Sequence, residues 1–459
     1  MAKPWATYGV DLHLERSGPG LRRGLTDALR DAIRTGRLAP GTRLPSSRAL
    51  AADLGIARNT VADAYADLVA EGRLTARQGS GTHVADRAVP PPADRPAPAR
   101  TPGRLPHDLV PGTPDLSSFP RAAWLRATRR ALAAAPNDAF GYGDPRGRAE
   151  LREALADYLA RVRGVRTDPE HVVVCAGFAD GLRRLTDVLR TRGAGTLAVE
   201  SYGLDAHWNL VERTGLRTVP LPFDEQGSLI APGDAGAVLL TPSHQFPLGG
   251  ALPPGRRAEL IDWARRTGGL VLEDDYDGEF RYDRQPVGAL QDLDPGHVVY
   301  LGTASKSLAP GLRLAWMVLP PSLLPDVTAH GDSPAVGVVE QLALAEFLTS
   351  GAYDRHVRAA RLRYRRRRDA LVEALATRAP DVRVTGIAAG LHAVLRLPPG
   401  TEQPVVRAAT WQGLRVLGLG GFRHPDATDT PVDGLVVGYG TPPDHAWAGT
   451  LEALCKALP

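Results

Sequence analysis

At 459 residues the chain is too long for one ordinary domain, and its 43% hydrophobic content provides for a sizeable buried core. No run approaches eighteen consecutive apolar residues, which argues against a membrane-spanning helix. The N-terminal MAKPWATYGVDLHLER lacks a basic region followed by an apolar core, so no signal peptide is expected. Two cysteines, Cys175 and Cys455, exclude a disulfide framework and a cysteine metal cluster. A reducing, cytoplasmic compartment and no bound metal are therefore expected.

The net charge of +4 is modest but uneven, because residues 1–85 hold twelve Lys/Arg against eight Asp/Glu. A basic excess in a small N-terminal segment suits contact with phosphates. Of 55 Lys and Arg residues only three are lysines: Lys3, Lys306 and Lys456. Arginine replaces lysine as a surface charge but cannot form a Schiff base, so the lone interior lysine draws attention.

In chain order, residues 12–37 read as a helix, with Leu21, Leu25, Ala28, Leu29, Ala32 and Ile33 at helical spacing. Gly36 and Pro40-Gly41 end it. Ser46 or Ser47 caps a second helix whose Leu50, Ala51 and Leu54 turn inward. Gly55 makes a turn, and Ile56 to Glu71 is a third helix burying Val61, Ala64, Tyr65 and Leu68. Leu74-Thr-Ala-Arg77 and Thr82-His-Val84 are short strands joined by Gln78-Gly-Ser-Gly81. Three helices and a β-wing over 1–85 precede a proline-rich linker at 86–108 that cannot form a core. From 109 to 459, helices at 147–162, 179–192 and 255–267 alternate with apolar strands. The strand candidates are Val172–Cys175, Thr196–Glu200, Ala237–Leu240, Leu270–Glu273, Val298–Leu301 and Leu314–Val318, which argues an α/β domain. A large part at about 140–330 is followed by a smaller α+β part, mainly 331–459, with strands at 391–397 and 434–439.

The turn at Gly55 followed by Arg58-Asn59-Thr60 has the logic of helix-turn-helix, in which the second helix presents its first side chains to base edges. Arg reads guanine and Asn reads adenine. Ser46, Ser47 and Arg48 at the preceding helix start suit a phosphate. The run Leu44-Pro-Ser-Ser-Arg-Ala-Leu-Ala-Ala-Asp-Leu-Gly-Ile-Ala-Arg-Asn-Thr-Val-Ala-Asp-Ala-Tyr-Ala-Asp-Leu68, with Glu71-Gly-Arg-Leu74 and Gly79-Ser-Gly-Thr82, resembles the GntR family. That resemblance implies double-stranded operator DNA as a partner, contacted by Ser46, Arg48, Arg58, Asn59, Thr60, Gln78 and Gly79.

Lys306 follows an apolar strand within Gly302-Thr-Ala-Ser-Lys-Ser-Leu-Ala-Pro-Gly-Leu-Arg313, a small-residue turn that suits a phosphate. A desolvated lysine beside cationic groups is a competent imine-forming amine. Upstream, Glu273-Asp-Asp-Tyr-Asp-Gly-Glu-Phe280 ends another apolar strand, where a carboxylate can pair with a pyridinium nitrogen. With Tyr142-Gly-Asp-Pro-Arg-Gly147 and Thr241-Pro-Ser-His-Gln-Phe-Pro247, these runs resemble fold-type-I pyridoxal-phosphate enzymes. More closely, the chain is similar to the MocR subfamily of GntR regulators, in which a winged helix-turn-helix precedes an aminotransferase-like domain.

The resemblance implies pyridoxal 5'-phosphate as cofactor, with Lys306 as the Schiff-base lysine, Asp274 at the ring nitrogen and Tyr276 at the ring oxygen. Thr303, Ser305 and Arg313 would bind phosphate, with Gly177 and Phe178 as the other half of the cup. It also implies a homodimer, in which Tyr142 reaches the partner's site. Departures stand beside the matches. Leu204 occupies the place of an aromatic that stacks on the ring, unless Tyr202 compensates. Ala179 replaces a glutamine, Phe246 replaces the Asn before Pro247, and Gly434-Leu-Val-Val-Gly-Tyr439 lacks the arginine that clamps a substrate carboxylate. Eight arginines fall between Arg355 and Arg368, with Arg358, Arg361, Arg365 and Arg368 in one helical stripe, a solvated face or a docking surface. The reading that results is a regulator sensing pyridoxal phosphate, alone or with an amine or amino acid. Its alternatives are an active aminotransferase with an attached DNA-binding module and a catalytically dead adaptor.

Overall fold

Helix α1 (Leu21–Arg34) turns Leu25, Leu29, Ala32 and Ile33 inward, the spacing of one helical face. Helix α2 (Ser47–Leu54) starts at Ser46, whose hydroxyl accepts from the Ala49 N–H at 3.1 Å. Gly55 adopts φ 63°, the left-handed conformation that ends α2. Three residues later α3 (Arg58–Ala70) begins, burying Val61, Ala64, Tyr65 and Leu68. Strands β1 (Leu74–Arg77) and β2 (Gly81–Val84) pair antiparallel, Leu74 opposite Val84. These elements close one apolar core. The computed structural model describes residues 20–77, 81–86, 105–282, 287–329 and 336–459. Residues 12–19 of the expected first helix, the wing tip with Gln78 and Gly79, and most of the expected linker lie outside them. The molecule divides into two compact units, Met1–Gly103 and Arg104–Pro459.

The second unit is built on a seven-stranded sheet. Its order is Val172–Cys175, Ala315–Val318, Val298–Thr303, Leu270–Asp274, Ala237–Leu240, Thr196–Glu200 and Arg217–Leu221. Ala315–Val318 runs against both neighbours, and the other six strands share one direction. Side chains alternate between faces. Val173, Cys175, Val299 and Leu301 pack under the helix Phe178–Thr191. Val172, Val174 and Tyr300 pack under the helix Ala149–Arg163, and Val238, Leu240 and Val271 under Pro254–Thr267. Both faces are thus covered, as parallel strands require. The expected strands are present. Arg217–Leu221, not among them, is an edge strand, and it carries Pro220 where a missing N–H is tolerated.

A second, antiparallel sheet joins Arg383–Thr385, Ala393–Arg396, Gly434–Val437 and Leu417–Gly418. The helix Ala352–Arg378 links the two cores. Tyr353 and Val357 lie in the first, and Tyr364, Leu371 and Leu375 in the second. Its arginines are not one solvated stripe. Arg361 donates from Nε and Nη2 to the Glu279 carbonyl at 2.9 and 2.6 Å. Arg367 is buried between Asp115 and the Tyr439 and Pro442 carbonyls. Arg355, Arg358, Arg365 and Arg366 are the exposed members. Among the described residues no helix is long and apolar enough to cross a membrane.

Candidate functional site

Because six strands point one way, their C-terminal ends meet at one edge of the sheet. A cavity of about 500 Å³ lies there, where ligands sit in open α/β sheets. Asp274 ends one central strand, and its neighbour in register, Leu301, lies just before the turn that carries Lys306. Thr303, Ser305, Lys306 and Arg313 line the cavity together with Asp274, Tyr276 and Phe178. All but one of the residues expected to meet a cofactor therefore share one pocket. Gly177, the remaining one, packs directly against it. Gly177 caps the Phe178–Thr191 helix at φ 89°, and a Cβ there would sit 2.6 Å from Arg313 Nη2. The helix N-terminus and the guanidinium thus converge on one spot, an arrangement suited to an anion. Arg313 Nη2 donates to the Ala176 carbonyl at 2.6 Å. Arg313 is also the one described non-glycine residue at positive φ, 54°, a backbone strain of about 1 kcal/mol or more held in place by its surroundings.

The hydroxyl turn is internally tied. Thr303 Oγ1 donates to Ser305 Oγ at 2.9 Å and accepts from the Ser305 N–H at 3.1 Å. Lys306 Nζ donates to the carbonyl of Gly112. Burial lowers the proton affinity of Lys306, and Asp274 partly opposes that shift. Burial pushes the Asp274 carboxyl well above its usual range, with Lys306 acting the other way. Asp274 Oδ1 is buried and has no hydrogen-bond partner. An unpaired buried acceptor costs roughly 1–3 kcal/mol, so this oxygen fits a ligand that brings a donor. Tyr276 is buried, with its hydroxyl 3.0 Å from His244 Nδ1 and donating to the His244 carbonyl at 3.1 Å.

Leu204 and Tyr202, the two residues weighed for the place beside the ring, both line the cavity. Other pocket residues were not anticipated. His207 lines the cavity too and packs against Phe178, ring centroids 4.6 Å apart and planes tilted by 35°. Burial, aided by Lys306, brings the His207 imidazole down to about 4, so it is neutral near pH 7. His392 contributes from the smaller sheet and is held neutral by burial, with His244 adding to the effect. His244, Asp277 and His392 form a buried group whose ligating atoms lie within 4.8 Å of one another. Their atoms are already engaged, His244 Nδ1 with Asp277 at 2.8 Å and His392 Nε2 with the Pro247 carbonyl at 3.0 Å. The group therefore reads as a hydrogen-bonded support behind Tyr276. Tyr142, expected to act toward a partner, is fully exposed and does not line this cavity.

Comparison with known proteins follows the same two units. Residues 21–84 match the family model for bacterial regulatory proteins of the gntR family, and residues 112–424 match aminotransferase class I and II. The HTH-type pyridoxine biosynthesis transcriptional regulator PdxR of Corynebacterium glutamicum is 34% identical, over 95% of each chain. The probable rhizopine catabolism regulatory protein MocR of Rhizobium meliloti is 33% identical, over 91% of this chain and 90% of its own. The chain belongs to the MocR-type GntR regulators. Among solved structures, a multiple substrate aminotransferase from Thermococcus profundus superposes with a TM-score of 0.68. It is 22% identical and covers 78% of this chain and 92% of its own. An archaeal alanine:glyoxylate aminotransferase gives a TM-score of 0.67 at 24% identity, over 76% and 90%. These likenesses establish the aminotransferase fold.

As a MocR-type regulator the chain is a DNA-binding protein, and the expected contact residues that are described lie at the starts of α2 and α3. Arg58 and Asn59 are exposed on the first turn of α3, and Thr60 follows half-buried. Ser46 and Arg48 are exposed at the start of α2. On α1, the side facing α3 is tied by ion pairs, Arg22 to Asp67 at 2.6 Å and Arg30 to Glu71 at 2.5 Å. These pairs leave the first turn of α3 unencumbered.

Proposed function

We propose that this regulator is a cytoplasmic homodimer that holds pyridoxal 5'-phosphate at Lys306 and alters its grip on operator DNA when that cofactor, alone or with an amine, is bound. The observation that carries the reading is the unpartnered, buried Oδ1 of Asp274 in the cavity that also receives the lone interior lysine. A protonated pyridine nitrogen is the donor that oxygen lacks. Arg313, the Gly177–Phe178 helix start and the Thr303–Ser305 turn would hold the phosphate, and Tyr276 the ring oxygen. Pyridoxal phosphate, when bound, supplies an aldehyde that condenses with amines and a ring that withdraws electrons. Lys306 contributes an amine whose burial favours the neutral, nucleophilic form. The His244 carbonyl fixes the direction of the Tyr276 hydroxyl. The packed pair Phe178–His207 supplies aromatic lining to a cavity in which Leu204 offers none.

The homodimer is supported by an apolar surface. Leu125 and Leu132, seven residues apart on the helix Arg121–Ala134, are 60% and 39% exposed, and Phe140 beyond that helix is 51% exposed. Exposed apolar clusters of this kind mark interaction sites. On the DNA side, Arg58, Asn59 and Thr60 would read base edges, and Ser46 and Arg48, with Gln78 and Gly79 of the wing, would meet the backbone.

The test is to load the full chain with pyridoxal phosphate and follow its visible absorbance. Borohydride trapping should label Lys306, and Lys306→Ala should lose both band and label while keeping its circular dichroism. A gel shift on a fragment upstream of the protein's own gene should change on loading. Binding that is the same with and without the cofactor, and with every amine tried, would overturn the sensor reading. Full turnover of an amino acid to its keto acid would favour an enzyme.

A further inference from the structure

Among the described residues that line the cavity, Lys306 and Arg313 are the only lysine or arginine side chains. Both are held by backbone carbonyls, Lys306 by Gly112 and Arg313 by Ala176. The two lining histidines are held neutral by burial, His207 at about 4 and His392 at about 3. Arg423 follows the lining residue Phe422, yet its Nη2 donates to the carbonyls of Ala427 and Asp429. The acidic groups present are Asp274 and Glu200, both buried. Much of the remaining wall is apolar: Val110, Pro111, Phe246, Leu391, Leu417 and Phe422.

A carboxylate carried into such a wall loses its water and, among the described lining residues, finds no counter-charge beyond Lys306 and Arg313, whereas an apolar body is favoured there. We propose that the ligand this pocket takes beside its cofactor is a primary amine with an apolar body and no carboxylate. The proposal rests on the cofactor reading above, which commits Lys306 and Arg313 to the cofactor. An amine and the α-amino acid with the same side chain differ only in the group for which the wall has no partner, so the pocket discriminates between them by charge.

Two matched pairs test this: phenethylamine against phenylalanine, and 3-methylbutylamine against leucine. Each is titrated into the full chain loaded with pyridoxal phosphate, read by the visible spectrum and independently by calorimetry. Loading is established first, from the visible band and the borohydride label on Lys306. A chain that does not load overturns the cofactor reading and this proposal with it. On a loaded chain, each amine is expected to bind at least about tenfold more tightly than its amino acid, the scale on which pockets reject a group they cannot pair. Equal or tighter binding of the amino acids, or no binding of either amine, overturns the proposal while leaving the cofactor reading intact. Leu417, 40% exposed at the cavity wall, offers the converse. Leu417→Arg supplies the absent cation and is expected to tighten phenylalanine by about tenfold, and an unchanged phenylalanine affinity also counts against the charge argument.

Discussion

Asp274 carries the sharpest chemical demand in the pocket. Its Oδ1 is buried without a partner, and burial drives its proton affinity up against the pull of Lys306. A group kept for a ligand is a burden to the empty protein. Asp274→Asn should therefore raise the Tm of the cofactor-free chain, by a stabilisation on the order of 1–3 kcal/mol, while weakening pyridoxal phosphate binding at least tenfold. Calorimetric melting and spectral titration read the two effects separately, and a loss of both stability and affinity would assign Asp274 a structural role instead. Glu200 offers a pH test. It accepts from the Thr241 N–H and hydroxyl and from Ser228, and burial raises it to about 7. A carboxyl raised above its unfolded value binds more protons when folded, so its contribution to stability is present below about pH 4.5 and lost as pH rises through about 7. Glu200→Gln mimics the protonated form. Relative to the parent it should gain stability steadily from pH 4.5 to 7, read as the difference in Tm. A flat difference would mean that Glu200 is ionised throughout. Lys306, Asp274 and Tyr276 were legible in the sequence because each sits at the end of an apolar strand with distinctive chemistry. His207 and His392 were not. A neutral buried histidine leaves no local pattern, and His392 reaches the cavity only because the smaller sheet packs over it.

At the scale of elements, the strands and helices that build the site were readable because each is apolar, short and bounded by turn residues. Val172–Cys175, Thr196–Glu200 and Ala237–Leu240 have the bounds that their hydrophobic runs indicate. Arg217–Leu221 was hidden because an edge strand is half-exposed and pairs on one side only, which lets Arg217 and Pro220 break the pattern. The arginine run on Ala352–Arg378 was only partly readable. Charge alone does not reveal that Arg367 is drawn inward by Asp115 and two carbonyls. In the N-terminal unit the short turn at Gly55 and the Ser46 cap fix where α3 begins, and that start decides which side chains lead. Arg58→Ala should weaken operator binding by roughly 1–3 kcal/mol and leave the visible cofactor band unchanged. Equilibrium gel shifts at fixed salt measure it. An equal loss on operator and random DNA would mean that Arg58 contacts phosphate rather than a base.

For the whole molecule, the proposed homodimer would let two winged units, each of a size to read a single half-site, bind a paired operator. The helix Arg121–Ala134 packs on Val338–Thr349 with one face, and Leu125 and Leu132 remain exposed. Tyr142 follows within a short stretch and is fully exposed. A charge at the centre of that surface would have to be buried without a partner on pairing, which is strongly unfavourable. If the proposed homodimer pairs through this surface, Leu125→Asp should sediment as a monomer at micromolar concentration where the parent sediments as a dimer, with unchanged circular dichroism. Once the two DNA-binding units are no longer linked, the second half-site is not bound intramolecularly. Affinity for a two-half-site operator should then fall by about 10²–10⁴, while affinity for an isolated half-site stays the same. A variant that remains dimeric would place the interface elsewhere. A monomer that keeps full operator affinity would mean that a single copy suffices for recognition.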